Sequence, residues 1–323
     1  MTFDNKTILV TGGAGFFGQK FVEVILRDHN PKSVRVYDNR ELAEVEMQRK
    51  FNDSRLRFLI GDVRDKDRLY RAMNGVDIVI HAAALKHVPI AEYNPFEAIK
   101  TNVNGTANVI DAAIDNCVEK AILISSDKAV NPVSLYGATK LCAEKLFIQA
   151  NSYVGDRKTL FSCVRYVNVL GSCGSIIPLF LEQKKAGTVT VTHEKMTRFF
   201  MTLEQGVTLV INSLEKMHGG ETFIPKTPSM KIMDLAKAVA PEAQIKITGI
   251  RPGEKLQESL LTVEEARHTK EFGDYFIIEP EFAFWDKENV KEGKLLPDGF
   301  HYASDNNTQW FNADDFKKII ETL

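Results

Sequence analysis

Thr7-Ile8-Leu9-Val10 runs through Thr11 straight into Gly12-Gly13-Ala14-Gly15-Phe16-Phe17-Gly18. A short apolar, β-branched run that ends in a glycine-rich turn and continues as an amphipathic helix through Leu26 is a dinucleotide fingerprint. Gly12, Gly15 and Gly18 allow a tight turn and close backbone approach to a pyrophosphate, which sits at the positive end of the following helix; Phe16 and Phe17 lie inside the same turn. An ordinary glycine-rich turn needs neither the preceding strand nor the following helix at these places.

Working outward, Ser33-Val34-Arg35-Val36-Tyr37 reads as a second strand ending in Asp38, twenty residues beyond Gly18. A carboxylate at that point accepts hydrogen bonds from an adenosine ribose and repels a ribose phosphate, which favours NAD over NADP. Arg40, two residues on, partly offsets the repulsion and keeps NADP open. Further strand-like runs at Leu56–Ile60, 76–81 and 121–125 alternate with helical patterns at Lys66–Met73 and 95–116. That alternation implies right-handed crossovers in a parallel sheet covered on both faces. Asp62 and Val63, and Ala82, Ala83 and Ala84, fall at C-terminal ends of two strands, where such sheets bind ligands, so they join the expected cofactor site. The expected fold is α/β, a Rossmann-type doubly wound parallel sheet with a smaller C-terminal substrate-binding lobe. The pattern loosens after Val169, which divides the chain into a cofactor-binding domain over 1–170 and a lobe over 171–323, with parts of the later chain returning to the first.

A chain of 323 residues with 44% hydrophobic content can bury one large core or two unequal ones. Its 43 acidic and 41 basic side chains leave a net charge of −2, which offers no field for nucleic acid and no polybasic membrane patch. Cys117, Cys142, Cys163 and Cys173 have no metal-ligand spacing, so no metal is expected; they read as core thiols of a protein in a reducing cytoplasm. The first residues lack the apolar core of a signal peptide, and no apolar run approaches membrane length.

Chemistry concentrates in Ser125-Ser126-Asp127-Lys128-Ala129 and Ser134-Leu135-Tyr136-Gly137-Ala138-Thr139-Lys140. Tyr136 and Lys140, four apart, share a helix face, so the ammonium of Lys140 is expected to hold the phenol partly deprotonated as a base for a hydride-yielding hydroxyl. Both would also touch the cofactor. Ser126, Asp127 and Lys128 add a hydroxyl, an acid and an amine, the set needed to eliminate water from a ketone. Later loops carry Arg198 and Arg251, and a guanidinium suits a diphosphate because it can clamp two oxygens at once.

The glycine fingerprint, His81-Ala82-Ala83-Ala84 and Tyr136-x-x-x-Lys140 resemble the extended short-chain dehydrogenase/reductases. Within that group, Lys86-His87-Val88-Pro89, Ser126-Asp127-Lys128-Ala129, Met196-Thr197-Arg198-Phe199, Met217-His218-Gly219-Gly220-Glu221 and Arg251-Pro252-Gly253-Glu254-Lys255 resemble the inverting UDP-N-acetylglucosamine 4,6-dehydratases of pseudaminic acid synthesis. The resemblance implies that Tyr136, aided by Ser126 and Lys140, takes the proton of the sugar 4-hydroxyl as hydride leaves C4. It assigns Lys128 as the base at C5 and Asp127 as the acid that releases the C6 hydroxyl. Free lysine and aspartate titrate near ~10.4 and ~3.9, so both roles demand shifted values, and burial is expected to push both groups toward neutrality. It also implies that Lys86 and His87 border the sugar, Asn168 contacts the substrate, Arg198 and Arg251 hold the diphosphate, and Glu254 takes a ribose hydroxyl. The family assembles as homo-oligomers, dimers or hexamers, and serves flagellar or surface glycan modification.

Several positions depart from that pattern. Asp38-Asn39 replaces a Ser-Arg pair suited to NADP, Ser126 replaces threonine, Val167 a glycine, Cys173 an arginine, and Ala98 a cysteine. A reshaped sugar pocket leaves three alternatives open: a partial reaction that starts from a 5,6-unsaturated UDP-amino sugar, a C4 epimerase or reductase needing only Tyr136 and Lys140, and a non-catalytic dinucleotide sensor.

Overall fold

The computed structural model describes residues 3–172, 175–282, 286, 289–312 and 316. Its first six strands are β1 (Thr7–Thr11), β2 (Ser33–Asp38), β3 (Leu56–Ile60), β4 (Ile78–His81), β5 (Lys120–Ser126) and β6 (Leu160–Tyr166). They lie parallel in the order β3-β2-β1-β4-β5-β6. Period-two alternation sends Ile8 and Val10 of β1 into the core on one face and Leu9 into the core on the other. A central parallel strand must therefore be apolar throughout, as β1 is.

The later strands are β7 (Asn168–Val169), β8 (Thr188–Val191), β9 (Thr197–Met201), β10 (Thr222–Pro225), β11 (Ser229–Lys231), β12 (Gln244–Ile247), β13 (Ser259–Leu261), β14 (Thr269–Glu271), β15 (Tyr275–Ile278), β16 (Lys294–Leu295) and β17 (Tyr302–Ala303). β10 pairs parallel with β6, and β15, β14 and β16 continue the main sheet antiparallel, so the chain after residue 171 weaves back into the first layer. The small sheets β11-β9-β7 and β12-β8 contribute to the second lobe, whereas Leu260, Leu261 and Tyr302 of the β13-β17 pair pack into the core of the main sheet.

Around them run α1 (Phe16–Asp28), α2 (Glu41–Phe51), α3 (Lys66–Met73), α4 (Val88–Tyr93), α5 (Pro95–Ile99), α6 (Gly105–Asp115), α7 (Leu135–Gln149), α8 (Ile176–Lys185), α9 (Leu203–Lys216), α10 (Ile232–Val239) and α11 (Val263–Ala266). Phe21, Val22 and Ile25 of α1 and Val207, Val210 and Leu214 of α9 share one core; Leu69 of α3, Val109 of α6 and Phe147 of α7 share the other. A third cluster, including Phe180, Val189, Phe200 and Leu235, fills the second lobe.

Three local expectations change. β4 begins at Ile78 rather than 76, because Gly75 turns the chain at φ +67° and the Asp77 carboxylate is taken by the Thr7 N–H at 2.7 Å. The helical pattern over 95–116 is broken by a π-turn at Lys100–Asn104 between α5 and α6. Cysteine placement also differs: Cys163 is a core thiol, whereas Cys117 and Cys142 are exposed, and Cys173 lies outside the described residues. Among the described residues no helix is long and apolar enough to cross a membrane.

Candidate active site

A cleft of about 860 Å³ opens at the C-terminal ends of the parallel strands. Gly12, Gly15, Phe16, Phe17, Asp38, Arg40, Asp62, Val63, Ala82, Ala83, Ala84, Ser126, Asp127, Lys128, Tyr136 and Lys140 all line it. Gly18 alone of the expected cofactor set stays behind the wall; a Cβ there would lie 2.4 Å from the Gly13 carbonyl oxygen, so its absence lets α1 pack on the turn. Gly12 has φ +65°, and a Cβ on it would meet the Ala83 backbone at 2.9 Å. The turn and the 82–84 strip thus touch backbone to backbone. At the Gly15 N-cap no side chain caps α1, so its first amides remain donors at a positive helix end.

Asp38 is buried at the end of β2, where its carboxylate accepts from the Ala14 N–H at 3.1 Å and from Arg40 Nε and Nη2 at 3.0 Å each. Arg40 is therefore not a bystander but the bidentate partner of Asp38. Asp62 is held below the usual carboxylate range, chiefly by hydrogen bonds from Arg64. Polar atoms complete the fit to a dinucleotide: Ser125 Oγ, Asp127 Oδ2 and Tyr166 OH belong to cleft-lining residues, are buried, and have no hydrogen-bond partner within the protein.

Beneath the 82–84 strip a neutral chain of hydrogen bonds fixes the floor. Thr106 donates to the Asn102 carbonyl at 2.6 Å, so it must accept from His81 Nε2–H at 3.0 Å, which leaves His81 Nδ1 to accept from the Thr11 hydroxyl at 2.7 Å. Burial, reinforced by Lys140, pushes the His81 pKa down to about 3, so the ring stays neutral. Asn102 sits in the π-turn, where it accepts from Leu85 N–H at 2.8 Å and donates to Leu85 O at 2.9 Å and Thr139 Oγ1 at 3.0 Å. It clamps the cofactor strip to the helix that carries Tyr136. The sequence reading passed over Asn102, whose only local signal is an amide in a helical run.

The candidate reacting groups lie at the end of β5 and the start of α7. Ser134 caps α7 by accepting from the Gly137 N–H at 3.1 Å, and Glu92 of α4 accepts from Leu135 N–H at 2.6 Å, so Tyr136 is set by a doubly fixed first turn. Asp127 Oδ1 accepts from Ser126 Oγ at 2.7 Å and from Lys128 Nζ at 3.0 Å. Two expectations are corrected here. Burial does oppose the charge on Lys128, but the carboxylates of Asp127 and Glu258 outweigh it and raise its pKa, so the resting amine is protonated. The Tyr136 phenol is raised by burial, and what opposes that rise is the Lys128 charge and a hydrogen bond with Ser126 rather than Lys140. Lys140 instead donates to the Ile124 carbonyl at 2.7 Å, and burial lowers its pKa to about 8.

An adjoining cavity of about 310 Å³ is lined by Lys86, His87, Asn168, Arg198, Arg251 and Glu254; the first three border the main cleft as well. The two spaces meet beside Asn168. Arg198 is more committed than its expected diphosphate role requires: Nη1 donates to Thr197 O at 2.7 Å and Leu256 O at 3.1 Å, and Nη2 to Lys255 O at 2.9 Å. It braces the 250–258 loop. Arg251 is exposed on that loop, and Glu254 accepts from the Arg251 backbone N–H at 3.1 Å. Gly253, at φ +77°, lets the loop pass within contact of Val88 and Ser134. Val167 is buried at the cleft wall, and Ala98 packs beneath Tyr136 with Ala91.

This sheet, the glycine cradle and the Tyr-x-x-x-Lys helix over a two-part cleft define an extended short-chain dehydrogenase/reductase. The chain belongs to the polysaccharide biosynthesis protein family, whose profile matches residues 8–280. It is 50% identical to the UDP-N-acetylglucosamine 4,6-dehydratase (inverting) of Campylobacter jejuni subsp. jejuni serotype O:2, over 98% of each chain. The crystal structure of Pen from Bacillus thuringiensis matches 100% of both chains with a TM-score of 0.91 at 39% identity. The dTDP-glucose 4,6-dehydratase DesIV from Streptomyces venezuelae, solved with NAD and TYD bound, matches 77% of this chain and 86% of its own with a TM-score of 0.70 at 25% identity.

Proposed function

We propose that this protein is a UDP-N-acetylglucosamine 4,6-dehydratase of the C5-inverting type, giving a UDP-4-keto-6-deoxy-hexosamine. Near-full-length likeness to an enzyme of that name supports the reading, and one observation carries it: an amine and a carboxylate 3.0 Å apart beside the tyrosine in the cleft. A simple C4 redox enzyme needs only Tyr136 and Lys140.

The glycine cradle, the uncapped start of α1, Asp38 and the 82–84 strip would hold a nicotinamide cofactor, which would supply a reversible hydride acceptor for C4 and C6 of the sugar. The chain's own residues manage the protons. Tyr136 first gives its phenolic proton to solvent, and the phenolate, stabilised by the Lys128 charge with Ser126 beside it, then takes the 4-hydroxyl proton. The C4 ketone acidifies the C5 hydrogen. Moving one proton along the Lys128–Asp127 hydrogen bond turns the resting ion pair into a neutral amine and a carboxylic acid, the base and acid the elimination requires. Lys128 then removes the C5 hydrogen while Asp127 protonates the departing C6 hydroxyl, which leaves as water. The original ion pair is restored with no net proton gained. A proton from solvent then adds to the opposite face of C5, a reading that the likeness to an enzyme named inverting supports.

Lys86, His87 and Asn168 would border the sugar, and Arg251 and Glu254 the UDP moiety, with Arg198 acting mainly as their brace. Residues 1–170 supply most of the cofactor site and 171–323 most of the sugar-nucleotide lobe. Asp38 favours NAD over NADP. The product suits pseudaminic acid-type synthesis and flagellin glycosylation by a cytoplasmic homo-oligomer, a dimer or a hexamer.

The test is to incubate the purified protein with UDP-N-acetylglucosamine in deuterated water and follow products by NMR. The expected product is the C5-inverted 4-keto-6-deoxy sugar labelled at C5. Turnover with no deuterium at C5 or C6 would sink this reading in favour of C4 epimerisation or reduction, and turnover only from a 5,6-unsaturated sugar would favour the partial reaction.

A further inference from the structure

Glu258, just ahead of β13, is 3% exposed and meets three cations: Lys128 Nζ at 3.7 Å, Arg198 Nε at 3.7 Å and Lys255 Nζ at 3.4 Å. Nothing in the local sequence singled it out. Its backbone is pinned from both sides, since Glu258 N–H donates to Ser304 Oγ at 3.0 Å and Ser304 N–H donates to Glu258 O at 2.8 Å. Ser304 Oγ also meets Thr197 Oγ1, next to Arg198, at 2.8 Å. The carboxylate is therefore a fixed point to which the catalytic segment, β9 and the 250–258 loop are tied by charge. Lys255 extends the tie by donating to Val130 O at 2.8 Å, just beyond Lys128 in the chain.

We propose that Glu258 is a positioning residue that holds the Lys128 amine in the cleft and sets how readily that amine gives up its proton. The proposal deepens the dehydratase reading, in which Lys128 is the base. Asp127 is the nearer carboxylate, but it must carry a proton before the C6 hydroxyl can leave, and at that stage Glu258 is the remaining negative charge against the amine. The groups facing Lys128 are Asp127 from its own segment, Glu258 from the loop, Arg198 from β9 and Tyr136 from α7. Of these, Asp127 and Glu258 favour the ammonium and Arg198 disfavours it. The three cations in turn hold Glu258 below the usual carboxylate range against the opposing effect of burial. It remains a counter-charge rather than a proton carrier.

The test reads Lys128 directly, without sugar or turnover. The intact protein is labelled with limiting acetic anhydride between pH 8 and 10, and mass spectrometry gives the acetylation rate of Lys128 relative to exposed Lys246. Removing one counter-charge in Glu258→Gln is expected to raise that ratio about tenfold, the equivalent of one pH unit in the neutral fraction. Glu258→Asp should return it most of the way to wild type, which a merely loosened cleft would not do. Lys255→Met, which frees Glu258 for Lys128, should lower the ratio about threefold and serves as the deciding variant should Glu258→Gln fail to fold. An unchanged ratio in Glu258→Gln, or in Lys255→Met where only that variant folds, overturns the proposal. A shifted ratio in a protein that never exchanges C5 would instead defeat the dehydratase reading and leave the charge cluster standing.

Discussion

Lys128 and Lys140 are both drawn into the cleft wall, yet their environments move them in opposite directions. Lys128 faces two carboxylates and stays charged; Lys140 faces a carbonyl with Glu144 as its counter-charge, and burial wins. A lysine whose folded pKa is about 8 against 10.5 costs stability wherever the unfolded chain is still protonated. Lys140→Met is therefore expected to stabilise the fold by up to ~3 kcal/mol below pH 8, a gain that fades as pH rises toward 10.5 while activity is lost; equal gains at pH 7 and pH 11 in chemical denaturation would refute it. Lys128→Ala should retain cofactor and stop deuterium entry at C5, whereas Tyr136→Phe should block reduction of the cofactor by substrate, seen as absent absorbance at the reduced-nicotinamide band. His81 has the depressed value of a buried neutral ring, so its contribution to stability is present above pH 6.5 and is lost as pH falls toward 3. Wild type should lose about 3 kcal/mol more than His81→Asn between pH 6.5 and pH 4. Tyr136, Lys140, Asp127 and Lys128 were legible because their spacing is local. The environments that tune Lys128 and Lys140 were not, since they depend on Glu258, Arg198 and Ile124, which only the folded chain brings near.

At the scale of elements, α7, the helix of Tyr136 and Lys140, is held by partners from four different segments. Its Glu144 accepts from Arg165 Nη2 of β6 at 2.9 Å, and Arg165 also bonds Glu265 of α11 at 2.6 Å, so one buried guanidinium ties helix, sheet and lobe together. Arg165→Met strands two carboxylates and is expected to cost ~3–5 kcal/mol by denaturant titration. The N-cap change Ser134→Ala should cost only ~1 kcal/mol but lower turnover as well, because the first turn it fixes carries Tyr136. If stability falls and turnover does not, the cap does not set the tyrosine. Strands buried on both faces along an apolar run, such as β1 and the 121–123 stretch of β5, announced themselves in sequence. The π-turn at Lys100–Asn104 did not, since an extra residue per turn leaves the apolar period almost unchanged while it redirects Asn102 toward Leu85 and Thr139.

For the whole molecule, a ligand that binds only the folded state stabilises it in proportion to the logarithm of its excess over Kd, about 2.7 kcal/mol at a hundredfold excess. If Asp38 meets the adenosine ribose as proposed, NAD is expected to raise the melting temperature more than NADP at equal concentration, and Asp38→Ala should shrink that difference; a larger shift with NADP in wild type would reverse the assignment. The chain crosses between lobes repeatedly: α9, β10, β14, β15 and β16 follow residue 171 yet pack on the main sheet. A cut at that point is not a clean division of the fold. What the amino-acid order settled unaided was the glycine-rich turn and the parallel sheet, and it nominated the quartet Asp127, Lys128, Tyr136 and Lys140, because each is written in residues a few positions apart, whose steric and periodic demands act locally. Tertiary structure alone decided which charges meet. Arg198 became a brace, Glu258 the hub beneath Lys128, and Arg40 the partner of Asp38, because electrostatic strength depends on distance and burial, and neither is fixed until distant segments pack.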